Sequence, residues 1–352
     1  MSDEQRSMLI SAADEFFSKN VEPANALMEK DGISGDLMSR IGSQGFVGLL
    51  FPEDIGGSNV DAATYLLMLE EFARFSPSVA LLIAVQNSIA YPLLSATVEG
   101  KEVLKAIAMG KRTAGIALSV SSMSRESVGN LKLEKGVLTG SKNYILSPSS
   151  ETIIALTDDK PAAIIATKTG LPVKKYHALG FRGNGVGAAT FDNAEHMILM
   201  RENGDQKMRQ IFDNLDLDVA AIALGIAKGA MQKAMDYSRV RSTFGHLLKD
   251  YSPVAFSVSS MLEEVSRLSS DLERTVDLDA AARKHFKIRA MDLAVQASRQ
   301  SIQTHGGYGY LQDFGVEKFY RDSTSLLAIF GEGYSDKRDL ADQVYGEKSG
   351  FL

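Results

Sequence analysis

The chain of 352 residues contains no cysteine. That absence excludes disulfides, thiolate metal ligands and cysteine nucleophiles together, and it fits the reducing cytoplasm, the compartment expected. No apolar run reaches membrane-spanning length. The most apolar stretch, Val79 to Val85, gives way at once to Gln86-Asn87-Ser88. It falls far short of the roughly 20 residues a span requires, so a buried helix is expected there. The opening Met1-Ser-Asp-Glu-Gln-Arg6 has neither the basic start nor the apolar centre of a signal peptide. Positive charge is in deficit: a formal net charge of −6 argues against nucleic acid or an anionic membrane as partner. The basic residues that do cluster, Arg283, Lys284, Lys287 and Arg289, recur at helical spacing and read as a solvated helix face. His177, His196, His246, His285 and His305 show no zinc-ligand spacing, so they are expected to be structural or surface residues and no metal is expected.

What is present is an ordinary globular composition, 45% hydrophobic and 23% charged. The length suits two or three domains or one large one. Up to about residue 111 the period is helical: Leu9, Ala12, Ala13, Phe16 and Phe17 recur at helical intervals, as do Tyr65, Leu66, Leu69 and Phe72. The loop Phe51-Pro-Glu-Asp-Ile-Gly-Gly-Ser58 separates two of these helices. From about 112 to 203 the period moves towards two, with a hairpin expected at Lys135-Gly136 and short runs at 152–156, 162–166 and 188–191. A small antiparallel barrel or sandwich is expected. After 206 long helices return: one from about Gln206 to Arg241, one with Ser252 as N-cap and Pro253 at its first position, and one after Asp279 that ends near His305. A last short helix starts near Ser335. There are no repeats and no low-complexity segments.

The fold expected is therefore mainly α with a central β domain: an N-terminal helical domain (1–111), an antiparallel β-barrel middle domain (112–203) and a C-terminal antiparallel four-helix bundle (204–352). Gly183-Asn-Gly-Val-Gly187 has the look of a dinucleotide loop, but it opens no helix in a βαβ unit, so a β-turn is expected.

Several motifs occur in order along the chain. They are Phe51-Pro-Glu-Asp-Ile-Gly-Gly57, Leu69-Glu-Glu-Phe-Ala73, Leu179-Gly-Phe-Arg-Gly183, Arg241-Ser-Thr-Phe-Gly245, Gln303-Thr-His-Gly-Gly-Tyr-Gly-Tyr310 and Arg321-Asp322. Together they resemble the acyl-CoA dehydrogenase family of flavoproteins. The resemblance implies FAD as cofactor and oxidation of the Cα–Cβ bond of an acyl-CoA thioester. A glutamate removes the α proton and the β hydride passes to flavin N5. It also implies an electron-transferring flavoprotein or similar acceptor, and a homodimer or homotetramer in which FAD is gripped across an interface.

By that resemblance Arg241, Thr243 and Phe244 bind FAD from one subunit, and Gln303, Gly306 and Gly307 from the other. A guanidinium suits the diphosphate, since it makes forked, charge-assisted hydrogen bonds to phosphate oxygens. The alternative for Arg241 is a surface salt bridge; for Gly306-Gly307 it is a helix stop. Ser119 and Tyr144 hold the positions of the family's flavin-side hydroxyl and aromatic plane, while Leu146 replaces the hydroxyl expected near N5. Glu332, set between Gly331 and Gly333, is the expected base; an ungapped reading from Ile329-Phe330 would put Gly331 there instead. Asp216 stands where an Arg is common, and with Asp218 it reads as helix-dipole complement. The divergence near N5 leaves two further readings open: altered flavin chemistry (oxidase, monooxygenase or carrier-protein thioester), or a scaffold without catalysis.

Overall fold

A computed structural model of the chain describes residues 2–117, 130–159, 162–331 and 334–346. Ser119 and Glu332 lie outside the described residues. The chain divides into two compact units, one of Leu27–Tyr65 with Ser78–Leu215, the other of Ser2–Ala26, Leu66–Pro77 and Asp216–Leu352.

In the first unit the helices start where the sequence supplies caps. Ser34 Oγ accepts from Leu37 N ahead of Gly35–Ser43, and Thr97 Oγ1 accepts from Gly100 N ahead of Val98–Ala108. The apolar run is a buried helix, Pro77–Ala84, but the helical path does not stop at the polar residues. It passes through a π-helical segment, Val85–Ala90, into Tyr91–Leu94. The whole stretch Pro77–Leu94 is long and apolar enough to cross a membrane, yet 83% of it is buried within the protein, as a core helix is. Gln86 and Asn87 are what the core tolerates because both are satisfied. Gln86 Oε1 accepts from Ala114 N at 2.8 Å and its Nε2 donates to Ala114 O and Leu82 O. Asn87 Nδ2 donates to Val47 O and Ile83 O while its Oδ1 accepts from Leu50 N. The Gln86 amide thereby pairs the first strand as a neighbouring strand would.

The strands are β1 (Ala114–Ala117), β2 (Lys132–Glu134), β3 (Val137–Leu146), β4 (Thr152–Leu156), β5 (Ile164–Thr167), β6 (Val173–Tyr176), β7 (Val186–Asp192) and β8 (His196–Met200). The expected hairpin forms between β2 and β3, with Lys135 at φ 49° and Gly136 at φ 82°. Both central residues are left-handed, as a two-residue primed turn requires. The expected barrel does not form. Among the described residues the sheet is open, in the order β6-β7-β3-β1-β4-β5-β8 with β2 on β3. Nor is it purely antiparallel: β1 and β4 run parallel, because the connection from β3 returns β4 to the far side of β1. Its core is formed by Leu131, Leu138, Ile145, Ile153, Ile165 and Phe191. One charge is buried beside it: Lys142, wholly buried, donates to both Asp158 oxygens at 2.9 Å.

The second unit is helical. Asp3–Asn20 opens on a reciprocal capping box, with Ser2 Oγ accepting from Gln5 N and Gln5 Oε1 from Ser2 N. Its Phe17 ring stacks on Phe72 at 4.2 Å. The expected helix 206–241 is two helices, Gly204–Asn214 and Asp216–Val240, interrupted at Leu215; the first of them belongs to the other unit. Ser252 is the first residue of Ser252–Asp271, not its cap; Tyr251 is the N-cap and Pro253 lies in the first turn. Asp279 caps Ala280–His305 as expected, accepting from Ala282 N at 2.8 Å. Two further helices follow, Val316–Phe330 and Tyr334–Tyr345. The basic cluster is not all solvated face: Lys287 is buried, with Nζ 2.6 Å from Asp216 Oδ1. An ion pair between two helices accounts for Asp216 where a dipole complement alone was expected.

Candidate active site

The second unit carries a cleft of about 650 Å³ built where two helix ends meet. One is the end of Asp216–Val240, which continues into Arg241-Ser-Thr-Phe-Gly245. Ser242–Thr243 pairs antiparallel with His246–Leu247, and the turn between them has Phe244 at φ 47° and Gly245 at φ 83°. A left-handed phenylalanine is costly, and such strain concentrates at functional sites. The turn is held in place by the Tyr251 hydroxyl, which donates to Thr243 O at 2.7 Å. Its effect is to leave the Phe244 side chain 93% exposed.

The other end is that of Ala280–His305. Gly306 takes φ 56° as the helix stops, a conformation suited to glycine, and the chain tightens into the 3₁₀ turn Gly306–Tyr310. A Cβ on Gly306 or Gly307 would meet nothing within 4 Å, so the backbone there borders open space. The helix-stop reading of this pair and an open approach to its backbone therefore hold together.

Arg241, Thr243, Gln303, Gly306 and Gly307 all line this cleft in a single chain, and are not divided between two subunits as expected from the sequence, because the two helix ends that carry them meet here. Arg241 pairs with no carboxylate among the described residues; its guanidinium lies over the Tyr308 ring, 5.4 Å from the centroid. Among the described residues it does not form the surface salt bridge considered for it. Phe244 projects from the same turn. Tyr144 belongs to the first unit, on β3, half exposed and edge-on to Tyr176 at 6.3 Å.

Sequence reading gave no site role to Tyr237 and Tyr308 and took His305 as structural or surface; all three line the cleft. His305 is buried, its Nδ1 2.8 Å from Ser301 O, and its ring stacks on Tyr237. Burial holds its pKa below the ordinary imidazole value; the Ser301 carbonyl opposes this and Lys233 adds to it. One signal was available: Tyr237 stands one helical turn before Arg241, on the face that delivers it.

A cleft with a guanidinium that pairs with no carboxylate among the described residues, exposed aromatic rings and accessible glycine backbone is suited to a dianionic group joined to flat rings. The comparisons with known proteins show the family. Residues 2–111 match the model of the acyl-CoA dehydrogenase N-terminal domain, and residues 204–344 that of its C-terminal domain. The chain belongs to the acyl-CoA dehydrogenase family. It is 29% identical to an acyl-CoA dehydrogenase of Bacillus subtilis, over 91% of this chain and 92% of that one. It is also 29% identical to the CarC subunit of the caffeyl-CoA reductase-Etf complex of Acetobacterium woodii, with the same coverage. The glutaryl-CoA dehydrogenase of Mycobacterium smegmatis, solved with FADH2, shares the fold with a TM-score of 0.88 at 16% identity, covering 99% of this chain and 97% of that one. Membership implies FAD-dependent dehydrogenation of acyl-CoA thioesters in general, with FAD the expected cofactor.

Proposed function

We propose that this acyl-CoA dehydrogenase family member oxidises the Cα–Cβ bond of an acyl-CoA thioester, with Glu332 as the base. The observation that carries the reading is the cleft in which Arg241, free of any carboxylate among the described residues, stands beside Thr243, Gln303 and the open Gly306-Gly307 backbone. These residues fit FAD: Arg241 and Thr243 would hold its diphosphate, Gln303 and the two glycines would accept its close approach, and Phe244 would cover a ring. Ser119 and Tyr144 would serve its flavin side. When bound, FAD supplies the acceptor for the hydride that leaves the β carbon. The chain's own part is to hold the carboxylate of Glu332 against the α proton and take it as the hydride departs. The thioester carbonyl acidifies that proton, and hydrogen bonds to its oxygen stabilise the developing enolate.

The CarC relative works in a complex with an Etf, and on that likeness an electron-transferring flavoprotein or similar acceptor is the partner we infer. Phe244, projecting from a strained turn, is suited to reach a neighbouring subunit's cofactor, which supports a homodimer or homotetramer. One observation favours a second reading, an oxidase or monooxygenase: Leu146 is buried in β3 and offers no hydrogen bond where the family has a hydroxyl.

The test is the visible spectrum of the purified protein, oxygen-free, before and after a mixture of acyl-CoA thioesters. A flavin band that bleaches is expected. A band that persists until oxygen is admitted and consumed supports the second reading; no band after reconstitution with excess FAD leaves only the scaffold.

A further inference from the structure

The run Gly183-Asn-Gly-Val-Gly187 takes no part in the site above. In the fold it enters β7 through a turn, with Asn184 N and Gly185 N both donating to Phe181 O at 3.0 Å. That turn walls a second cleft of about 780 Å³, contained in the first unit. The opposite walls are Arg112-Thr113 just before β1, the turn 147–151 that leaves β3, and the stretch 175–179 that closes β6 and follows it. The volume lies within the roughly 300–1,000 Å³ typical of sites for organic ligands.

Three independent features suggest that the cleft is built for a ligand. The first is charge. Lys30, Lys111, Arg112, Lys175 and Arg182 line it against Glu29, Asp31 and Glu151, a local positive excess in a chain of net charge −6. Two of the carboxylates are engaged in the walls: Glu29 faces Arg182 at 3.9 Å, and Glu151 Oε2 accepts from Thr113 N at 2.9 Å. Lys30, Lys111 and Lys175 are exposed and pair with no carboxylate among the described residues.

The second is backbone strain. Ser147 at φ 55° and Phe181 at φ 49° are non-glycine residues in the left-handed region, one on each facing turn. Each costs on the order of 1–3 kcal/mol, and such residues persist at ligand clamps. The turns are joined by Ser147 N donating to Gly185 O at 3.1 Å. The third is an under-used amide. Asn184 is buried; among the described residues its Oδ1 has no hydrogen-bond partner and its Nδ2 reaches Ser147 Oγ at 3.5 Å alone. Re-aiming it at a ligand would gain a hydrogen bond and break none of consequence.

We propose that this cleft binds a small organic anion, its phosphate or carboxylate held by Lys111, Arg112 and Lys175 and a hydrogen-bond donor held by Asn184. The experiment is calorimetric titration of the full-length protein, loaded with FAD, with ADP, citrate and pyrophosphate at low salt. ADP or citrate is expected to bind saturably with a Kd of ~1 mM or tighter. Pyrophosphate, which offers Asn184 no alcohol hydroxyl or amine apart from its phosphates, should bind less tightly. Saturation by ADP alone identifies a nucleoside phosphate as the source of the anion, and by citrate alone a carboxylate. The double variant Lys111→Glu/Lys175→Glu changes only exposed residues and should weaken binding at least about tenfold, whereas Lys101→Glu, exposed and outside the cleft, leaves it unchanged. Asn184→Asp should weaken it as well. No saturable binding of ADP or citrate up to ~10 mM, or affinities unmoved by the double variant, overturns the proposal. So does an equal loss in Lys101→Glu, which would mark a general effect of charge and not this cleft.

Discussion

The imidazole of His305 lies stacked on the ring of Tyr237, centroids 4.2 Å apart and planes 23° from parallel, at the edge of the cleft that Arg241 borders. The stack is formed between neutral rings, since burial depresses the His305 pKa. The folded pKa is the lower one, so the unfolded chain takes up the proton first as pH falls below the ordinary value of about 6.5. The contribution of His305 is full above that value and is lost on the way down to its folded pKa. Thermal stability should therefore fall as pH drops below about 6.5. His305→Phe keeps an aromatic stack without the proton and should flatten that part of the profile. Superimposable profiles would remove His305 as the titrating group.

Arg241→Gln should separate binding from folding. Arg241 is exposed and pairs with no carboxylate among the described residues, so its loss should move stability by no more than about 0.5 kcal/mol. A lost charge-assisted contact to a diphosphate is worth about 1.5–3 kcal/mol, roughly a tenfold to hundredfold weaker hold on FAD. Flavin absorbance retained after dialysis, read beside the melting temperature, checks both halves. A variant that melts early and keeps its flavin would show Arg241 to be structural.

Which residues border the cleft was partly legible in the sequence for a physical reason. Arg241 and Gln303 are far apart in sequence, but each stands at a helix terminus marked by turn chemistry: Phe244-Gly245 in one case, Gly306-Gly307 in the other. Those local signals survive in a single sequence, and the structure brings Arg241, Thr243, Gln303, Gly306 and Gly307 to one cleft. Sheet order was not legible in the same way. The short β-rich runs at 152–156 and 162–166 mark strands without naming their neighbours, so the parallel pairing of β1 with β4 and the open sheet had no local sign. The break at Leu215 was equally silent, because no glycine or proline marks it. Lys287 misled because helical spacing of charge says nothing about which face meets another helix.

Glu332→Gln bears on chemistry alone. The amide keeps the shape of the carboxylate and cannot take a proton, so FAD should remain bound. Anaerobic flavin reduction by acyl-CoA should slow by about 10²–10⁴-fold, the usual worth of a positioned general base. Stopped-flow absorbance measures it directly. Reduction at the unaltered rate would end the assignment of Glu332.

Lys142→Met tests the buried pair of the first unit. Burial depresses the Lys142 pKa, and Asp158 offsets that by its hydrogen bonds and charge. With the ammonium gone, Asp158 loses both of those hydrogen bonds and keeps the one from Leu131 N, 2.7 Å from Oδ2. Breaking one side of a buried pair costs about 3–5 kcal/mol, and partial exposure of Asp158 puts the expectation at the lower end. Urea unfolding followed by a probe in the sheet should show it; a loss under about 1 kcal/mol would mean that solvent already screens the pair.

Gly225 sets how closely two helices of the second unit approach. A Cβ there would stand 2.3 Å from Glu70 O and 2.5 Å from Ala73 Cβ, on the helix Ala62–Phe75. Alanine is the better helix former by about 1 kcal/mol, but forcing the helices apart costs about 1–3 kcal/mol, and here the steric term should win. The obstacle nearest the new methyl is a backbone carbonyl, which cannot change rotamer to make room. Gly225→Ala should therefore be destabilising by urea titration, and adding Ala73→Gly should not restore it, because the Glu70 carbonyl remains. Full rescue by the second substitution would show instead that the side chain of Ala73, and not the backbone, fixes the spacing.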